Sequence, residues 1–218
     1  MEEKVSQTQI VDWFEKIAET IEENKDYLTE LDAAIGDADH GINMDRGFKK
    51  AIAQLLQNRN SDIGTLLKTI AMTLISSVGG ASGPLYGTLF LRASSAVAGK
   101  QDLTAQDLAN LLQAGKDGVI QRGKANLGDK TMLDALSPAV ETYTTAIDQN
   151  RSLVDALREA VLATEEGMKN TIPLVAKKGR ASYLGERSAG HQDPGATSTY
   201  LILRCLLEVL EKERSKNV

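Results

Sequence analysis

Apolar residues recur along almost the whole chain at the three- and four-residue spacing of helices. Ile10, Trp13, Phe14, Ile17 and Ile21 form one stripe, and S-Q-T-Q at 6–9 places a hydroxyl and an amide where a capping box would start it. Tyr27, Leu28, Leu31 and Ile35 continue a second apolar face, which Gly36 terminates. Phe48, Ile52, Leu55 and Leu56 mark a third helix, and residues 62–78 a longer apolar one. Another is expected from about Pro84, whose missing N–H costs nothing in a first turn. T-A-Q-D at 104–107 is a second capping box, ahead of Leu108, Leu111 and Leu112. Further helices are expected over 131–147 and 152–177, with a last one from about Gly195 to Glu213. Sustained β-branched alternation and Asn-Gly hairpin turns are missing. The pattern predicts an all-α fold: about eight antiparallel helices in a bundle or closed barrel, one domain over residues 1–218.

Composition narrows this little. The chain has 218 residues, 42% of them hydrophobic, and a formal charge of −5, which gives no general electrostatic reason to bind nucleic acid or an anionic membrane. Lys68 and Arg92 interrupt the best apolar runs, so none reaches transmembrane length. The start, M-E-E-K-V-S, leads into an amphipathic stretch rather than a signal sequence. The single cysteine, Cys205, lies in L-I-L-R-C-L-L, which fits a buried thiol in the reducing cytoplasm.

The glycines gather between helices, and there the chemistry changes. L-D-A-A-I-G-D-A-D-H-G-I-N-M-D (31–45) puts Asp32, Asp37, Asp39 and Asp45 beside one of only two histidines. Carboxylates drawn together repel unless a cation joins them, and hard oxygens with few imidazoles suit Mg²⁺ better than Zn²⁺. The same letters also suit an acidic turn in which Asp39, Asn43 or Asp45 caps the next helix. S-S-V-G-G-A-S-G-P-L-Y-G (76–87) offers Ala81 and Ser82 at a helix start, where anions are stabilised, or simply a close helix–helix turn. It is neither a Walker A loop nor a G-x-G-x-x-G fingerprint. R-G-K-A-N-L-G-D-K-T-M-L-D (122–134) places Gly123 and Met132 where they could bracket a flat ring, although Met132 equally fits a core position. Asp129 or Thr131 would cap the helix that follows. The stretch 177–198 is long for a loop in a compact helical protein, and Arg180 there could meet a phosphate bidentately. It could also be a solvated crossover whose ion pairs contribute little.

Taken in order, G-D-A-D-H-G, G-G-A-S-G-P, R-G-K-A-x-x-G-D-K-T-M and G-R-A-S-Y-L-G-E-R-S-x-G-H-Q-D-P-G-A-T-S resemble the L subunits of bacterial dihydroxyacetone kinases, over essentially the whole chain. The resemblance implies an eight-helix antiparallel barrel with ADP/ATP and a pair of Mg²⁺ ions at one end. It implies Asp32, Asp37 and Asp39 as metal ligands. His40, Gly41, Ile42 and Asn43, then Ala81 and Ser82, then Gly123 and Met132 would surround the nucleotide. Arg180 and the turn Asp193-Pro194-Gly195 would complete the site, with Arg180 and the three aspartates carrying the chemistry. It further implies a phosphoenolpyruvate–glycerone phosphotransferase subunit that retains its nucleotide as a coenzyme. The phosphoryl group would come from the M subunit, a phosphocarrier of the phosphotransferase system. It would pass to dihydroxyacetone held covalently on the K subunit, with a homodimer left open. Two other readings stand beside it: a kinase that exchanges free ATP, and a non-enzymatic regulator that binds nucleotide or a transcription factor.

Overall fold

The computed structural model describes residues 3–216. Its first helix, α1 (Gln7–Glu23), opens on the box foreseen: Ser6 Oγ accepts from the Gln9 N–H at 3.3 Å, and Gln9 Oε1 accepts from the Ser6 N–H at 2.7 Å. Then come α2 (Lys25–Ile35), α3 (His40–Gln57), α4 (Ile63–Ser77) and α5 (Ser82–Ala96). Thr104 and Asp107 form the second box, which opens α6 (Ala105–Gly123). The chain ends with α7 (Leu133–Asp148), α8 (Leu153–Asn170) and α9 (Pro194–Lys216).

Eight of these close a ring. α1 packs on α3, and α3 to α9 each pack on the next in sequence; α9 returns to α1. The apolar stripes meet inside, where the rings of Trp13, Phe14 and Phe90 lie 4.9–6.2 Å apart and Trp13 Nε1 donates to Ile202 O at 2.8 Å. Cys205 is a buried free thiol, as its surroundings in the sequence require. The additional helix, α2, lies against α3, α9 and a 3-10 segment, Arg180–Ser188, that no periodicity announced. The all-α barrel therefore holds, with α2 as an accessory at one end. No helix among the described residues is long and apolar enough to cross a membrane.

Three local expectations change. α8 stops at Asn170 rather than 177, because Thr171 Oγ1 turns back to Met168 O at 2.6 Å and Pro173 cannot continue a helix. α3 starts at His40, so Asn43 and Asp45 lie within it and Asp39, at its cap position, makes no side-chain cap bond. β1 (Val5–Ser6) pairs antiparallel with β2 (Asp102–Leu103), a link too short for any alternation to reveal.

Candidate functional site

Gly36 ends α2 beside Asp32: a Cβ at Gly36 would stand 2.1 Å from Asp32 Oδ1, so a side chain there would push that carboxylate aside. The chain turns through Ala38, at φ +60°, and enters α3. Asp32 Oδ2 accepts from the Asp39 N–H at 2.8 Å and the His40 N–H at 3.2 Å. A carboxylate seven residues upstream therefore satisfies the N-terminus of α3. The same turn brings one oxygen each from Asp32, Asp37 and Asp39 within 4.8 Å of one another. Burial, reinforced by the charges of Asp37 and Asp32, holds the Asp39 carboxyl above its ordinary pKa. Arg180 Nη2 stands 3.1 Å from Asp37 Oδ2 and offsets part of that charge.

A cleft of about 370 Å³ opens beside this trio. Its second wall is the start of α5, where Ala81 holds the cap position without a side-chain bond and Pro84 has no N–H to offer. The leading Ser82 and Gly83 amides are the donors there. Beneath lies His40, buried, with Nδ1 3.0 Å from Ser82 Oγ and Nε2 2.9 Å from Ser198 Oγ. Burial lowers its pKa to about 4, so the imidazole is neutral. Tyr86 Oη extends the network, 2.6 Å from Ser198 Oγ and 3.0 Å from Gly195 O. One histidine thus ties α3 to both α5 and α9.

The third wall is apolar. Leu85, Val119, Gly123, Ala125 and Met132 line it, and Met132 adjoins the Asp193-Pro194-Gly195 turn, where a Cβ at Gly195 would lie 3.5 Å from Met132 Cβ. Asp193 caps α9 by accepting from the Ala196 N–H at 2.7 Å, and Pro194 takes the first helical position. Burial, more than the neighbouring carboxylates, raises the Asp193 pKa to about 7.

Of the residues singled out from the sequence, Asp32, Asp37, Asp39, His40, Ala81, Ser82, Gly123, Met132, Arg180, Asp193, Pro194 and Gly195 all line this one cleft. Gly41, Ile42 and Asn43 do not. Ile42 is exposed, and Asn43 is buried with its Oδ1 accepting from Arg46 Nη2 at 2.7 Å. Gly41 is where α2 and α3 touch: a Cβ there would lie 2.0 Å from Lys25 O and 2.5 Å from Thr29 Oγ1. Gly41→Ala is therefore expected to cost about 1–3 kcal/mol through overpacking, whereas Ile42→Ala stays within about 0.5 kcal/mol. Urea unfolding of both variants measures the difference; equal midpoints would refute it. The sequence did not mark Lys130, Thr131 or Tyr86 as cleft residues. A lysine in a Gly-Asp-Lys turn looks solvent-facing, and only the φ of +62° at Lys130 turns it inward.

The geometry has counterparts among known proteins. The family model described as the DAK2 domain matches residues 34–208. The chain is 50% identical over 202 residues, 93% of its length and 96% of the relative's, to the ADP-binding subunit DhaL of the PEP-dependent dihydroxyacetone kinase of Escherichia coli strain K12. It is 46% identical to the corresponding subunit of dihydroxyacetone kinase 2 of Listeria innocua, over 88% of this chain and 89% of that one. Among solved structures, the dihydroxyacetone kinase of C. freundii in complex with AMP-PNP and Mg²⁺ matches with a TM-score of 0.67 at 26% identity. That match covers 95% of this chain but 35% of the longer kinase.

Proposed function

The chain belongs to the DAK2 domain family, and on that premise we propose that it is the nucleotide-carrying subunit of a phosphoenolpyruvate-dependent dihydroxyacetone kinase of the cytoplasm. Its bound ADP takes a phosphoryl group from a phosphocarrier of the phosphotransferase system, the M subunit. It then gives that group to dihydroxyacetone held on the K subunit. The observation that carries this reading is the acidic trio of Asp32, Asp37 and Asp39 lining one cleft with Ser82, Arg180 and the apolar Leu85, Val119 and Met132. Among relatives, 50% identity to a PEP-dependent subunit outweighs 26% to the C. freundii kinase.

The donor set fits Mg²⁺: three carboxylates, no thiol, and an Asp39 whose charged form is disfavoured as long as its neighbours are uncompensated. Bound there, the metal would neutralise charge on the bridging phosphate oxygens. The rest falls to the chain itself. Ser82 and the first amides of α5 receive phosphate oxygens, oriented by the His40–Ser82 bond. Arg180, already within 3.1 Å of Asp37, can turn a donor toward the transferring group. The Met132 and Leu85 wall accepts a flat base and excludes water from the reacting end. His40 has both ring nitrogens engaged by hydroxyls, so its part is to hold Ser82 and Ser198 rather than to carry the phosphoryl group.

The C. freundii complex favours one alternative, exchange with free ATP. Denaturing the gently purified protein should release ADP and Mg²⁺ in near-stoichiometric amounts. Dihydroxyacetone phosphorylation should then require phosphoenolpyruvate with the carrier proteins and the K subunit. Equal turnover with ATP alone would establish the alternative, and a nucleotide-free protein that takes up no ADP would overturn both.

A further inference from the structure

Lys130 is the least exposed charged side chain of the described residues, with 1% of its surface open to solvent. It stands between Asp129 and Thr131 in a turn held on both sides. Asp134 accepts from the Gly128 and Thr131 N–H groups at 2.5 and 2.7 Å, and Asp129 Oδ2 from the Asn126 N–H at 2.8 Å. The left-handed backbone at Lys130 aims the side chain across the end of α8. There Nζ donates to Thr171 O at 2.7 Å, to Ile172 O at 3.3 Å and to His191 O. An ammonium has three N–H donors, and all three are used on backbone carbonyls. Lys130 lines the cleft yet has no donor left for a ligand. That excludes the usual role of a lysine beside phosphates.

The three carbonyls define what it does instead. Thr171 and Ile172 follow the last turn of α8, and His191 lies at the opposite end of the long crossover to α9. The Gly190 N–H also donates to Ile172 O, at 2.7 Å, so the crossover is a loop with a closed neck. Further up, the Lys177 N–H meets Asp129 O at 3.0 Å, and the Ala176 N–H meets Ser188 Oγ at 2.8 Å. Between these ties stands Arg180; just beyond the neck stands Asp193, its N–H donated to Thr171 Oγ1 at 3.0 Å. The carbonyls at the end of α8 carry the negative end of its dipole, which suits an ammonium. Burial disfavours the ammonium, and the carboxylate of Asp134 offsets part of that cost, as does Asp193 when ionised.

We propose that Lys130 is a positioning residue whose ammonium pins the neck of the 172–191 loop, and so sets where Arg180 and the Asp193–Gly195 turn stand over the nucleotide. The inference rests on the nucleotide reading above for its ligand, and on hydrogen-bond geometry alone for the pin. Removing the ammonium unlinks the two ends of the loop: Ile172 O keeps the Gly190 N–H and Thr171 O the Leu174 N–H, whereas His191 O loses its partner, and none of the three bonds involves the acidic trio.

The test uses the full chain. In the wild-type protein without nucleotide, the Gly190 and Lys177 amides should exchange with deuterium at least tenfold more slowly than an unstructured amide. Exchange at the unstructured rate overturns the pin whatever the variants do. In Lys130→Met, exchange over 173–192 should speed up about tenfold, whereas α4 and α5 keep their wild-type rates. ADP should bind about tenfold more weakly, and Mg²⁺ alone no more weakly than in wild type, since the loop gives the trio only the Arg180 guanidinium. Lys130→Gln, which keeps two amide donors, should fall between the two. A loosened loop with unchanged ADP affinity, or Mg²⁺ and ADP weakened together, overturns the positioning role. If wild type binds no ADP at all, the nucleotide reading fails and the positioning role with it, while the exchange data still decide the pin.

Discussion

Asp37→Ala is expected to lower phosphoryl transfer by about 10²–10³-fold, the loss seen when a charge-stabilising group is removed from a preorganised site, while leaving the fold intact. Asp37 caps no helix, and its one recorded partner is Arg180 at 3.1 Å. Asp39→Asn should have a comparable effect on transfer and a second, opposite effect on stability. Three carboxylates share one turn, and burial with the charges of Asp37 and Asp32 raises the Asp39 pKa. A carboxyl whose pKa is raised on folding is destabilising once pH rises above its unfolded value near 3.8. In chelator at pH 7, Asp39→Asn should therefore unfold at a higher temperature than wild type, and Mg²⁺ should no longer raise that temperature. Asp32→Ala separates the two duties of its carboxylate. It should lose transfer as Asp37→Ala does and, in addition, about 1 kcal/mol of stability, because the Asp39 and His40 N–H groups lose their acceptor. Thermal melts with and without Mg²⁺, alongside the transfer assay, decide each case. An Asp37→Ala protein with wild-type turnover would remove the trio from the mechanism.

That dual role of Asp32 shows how far the sequence could be read. The aspartates were legible as a group because carboxylates at 32, 37 and 39 with one glycine between them have few purposes. Their relation to α3 was not, because capping rules look for the acceptor at the cap itself, and here it is seven residues away on another helix. The helices with local signals came through well: Ser6 with Gln9 and Thr104 with Asp107 formed their boxes. Where the deciding contact is tertiary, the local pattern misled. The apolar period runs on past Asn170; Pro173 bars its continuation, and the neck that Thr171 makes with Lys130 and Asp193 fixes where the helix stops. Gly41 carried the same ambiguity in reverse. Its place in G-D-A-D-H-G points to a ligand, whereas its missing Cβ makes room for Lys25 O.

Two buried groups beneath the cleft should give the protein a pH profile that is flat only by cancellation. His40 titrates near 4 when folded, against an ordinary 6.5, because burial disfavours the imidazolium. Below 6.5 the unfolded chain binds a proton that the folded one refuses, so this group lowers stability as pH falls from about 6.5 to 4. A shift of that size corresponds to about 3 kcal/mol. Asp193 behaves in the opposite sense. Its folded pKa is about 7 against 3.8, so the folded protein keeps a proton that the unfolded one releases. Stability is then lost as pH rises from about 4 to 7, by about 4 kcal/mol. Over pH 4–6.5 the two slopes oppose each other. Asp193→Asn keeps an equivalent helix cap for the Ala196 N–H and removes one slope, so its stability relative to wild type should rise with pH across this window. His40→Gln keeps a donor and an acceptor between Ser82 and Ser198, and its stability relative to wild type should fall as pH rises. Urea unfolding at pH 4, 5, 6 and 7 in chelator reads both, as variant minus wild type, which cancels the remaining carboxylates. Parallel profiles for all three proteins would mean that neither group is held in the protonation state its burial demands. Opposed profiles would instead locate the proton: on Asp193, at the cap of α9, and not on the histidine that joins α9 to the phosphate-facing end of the cleft.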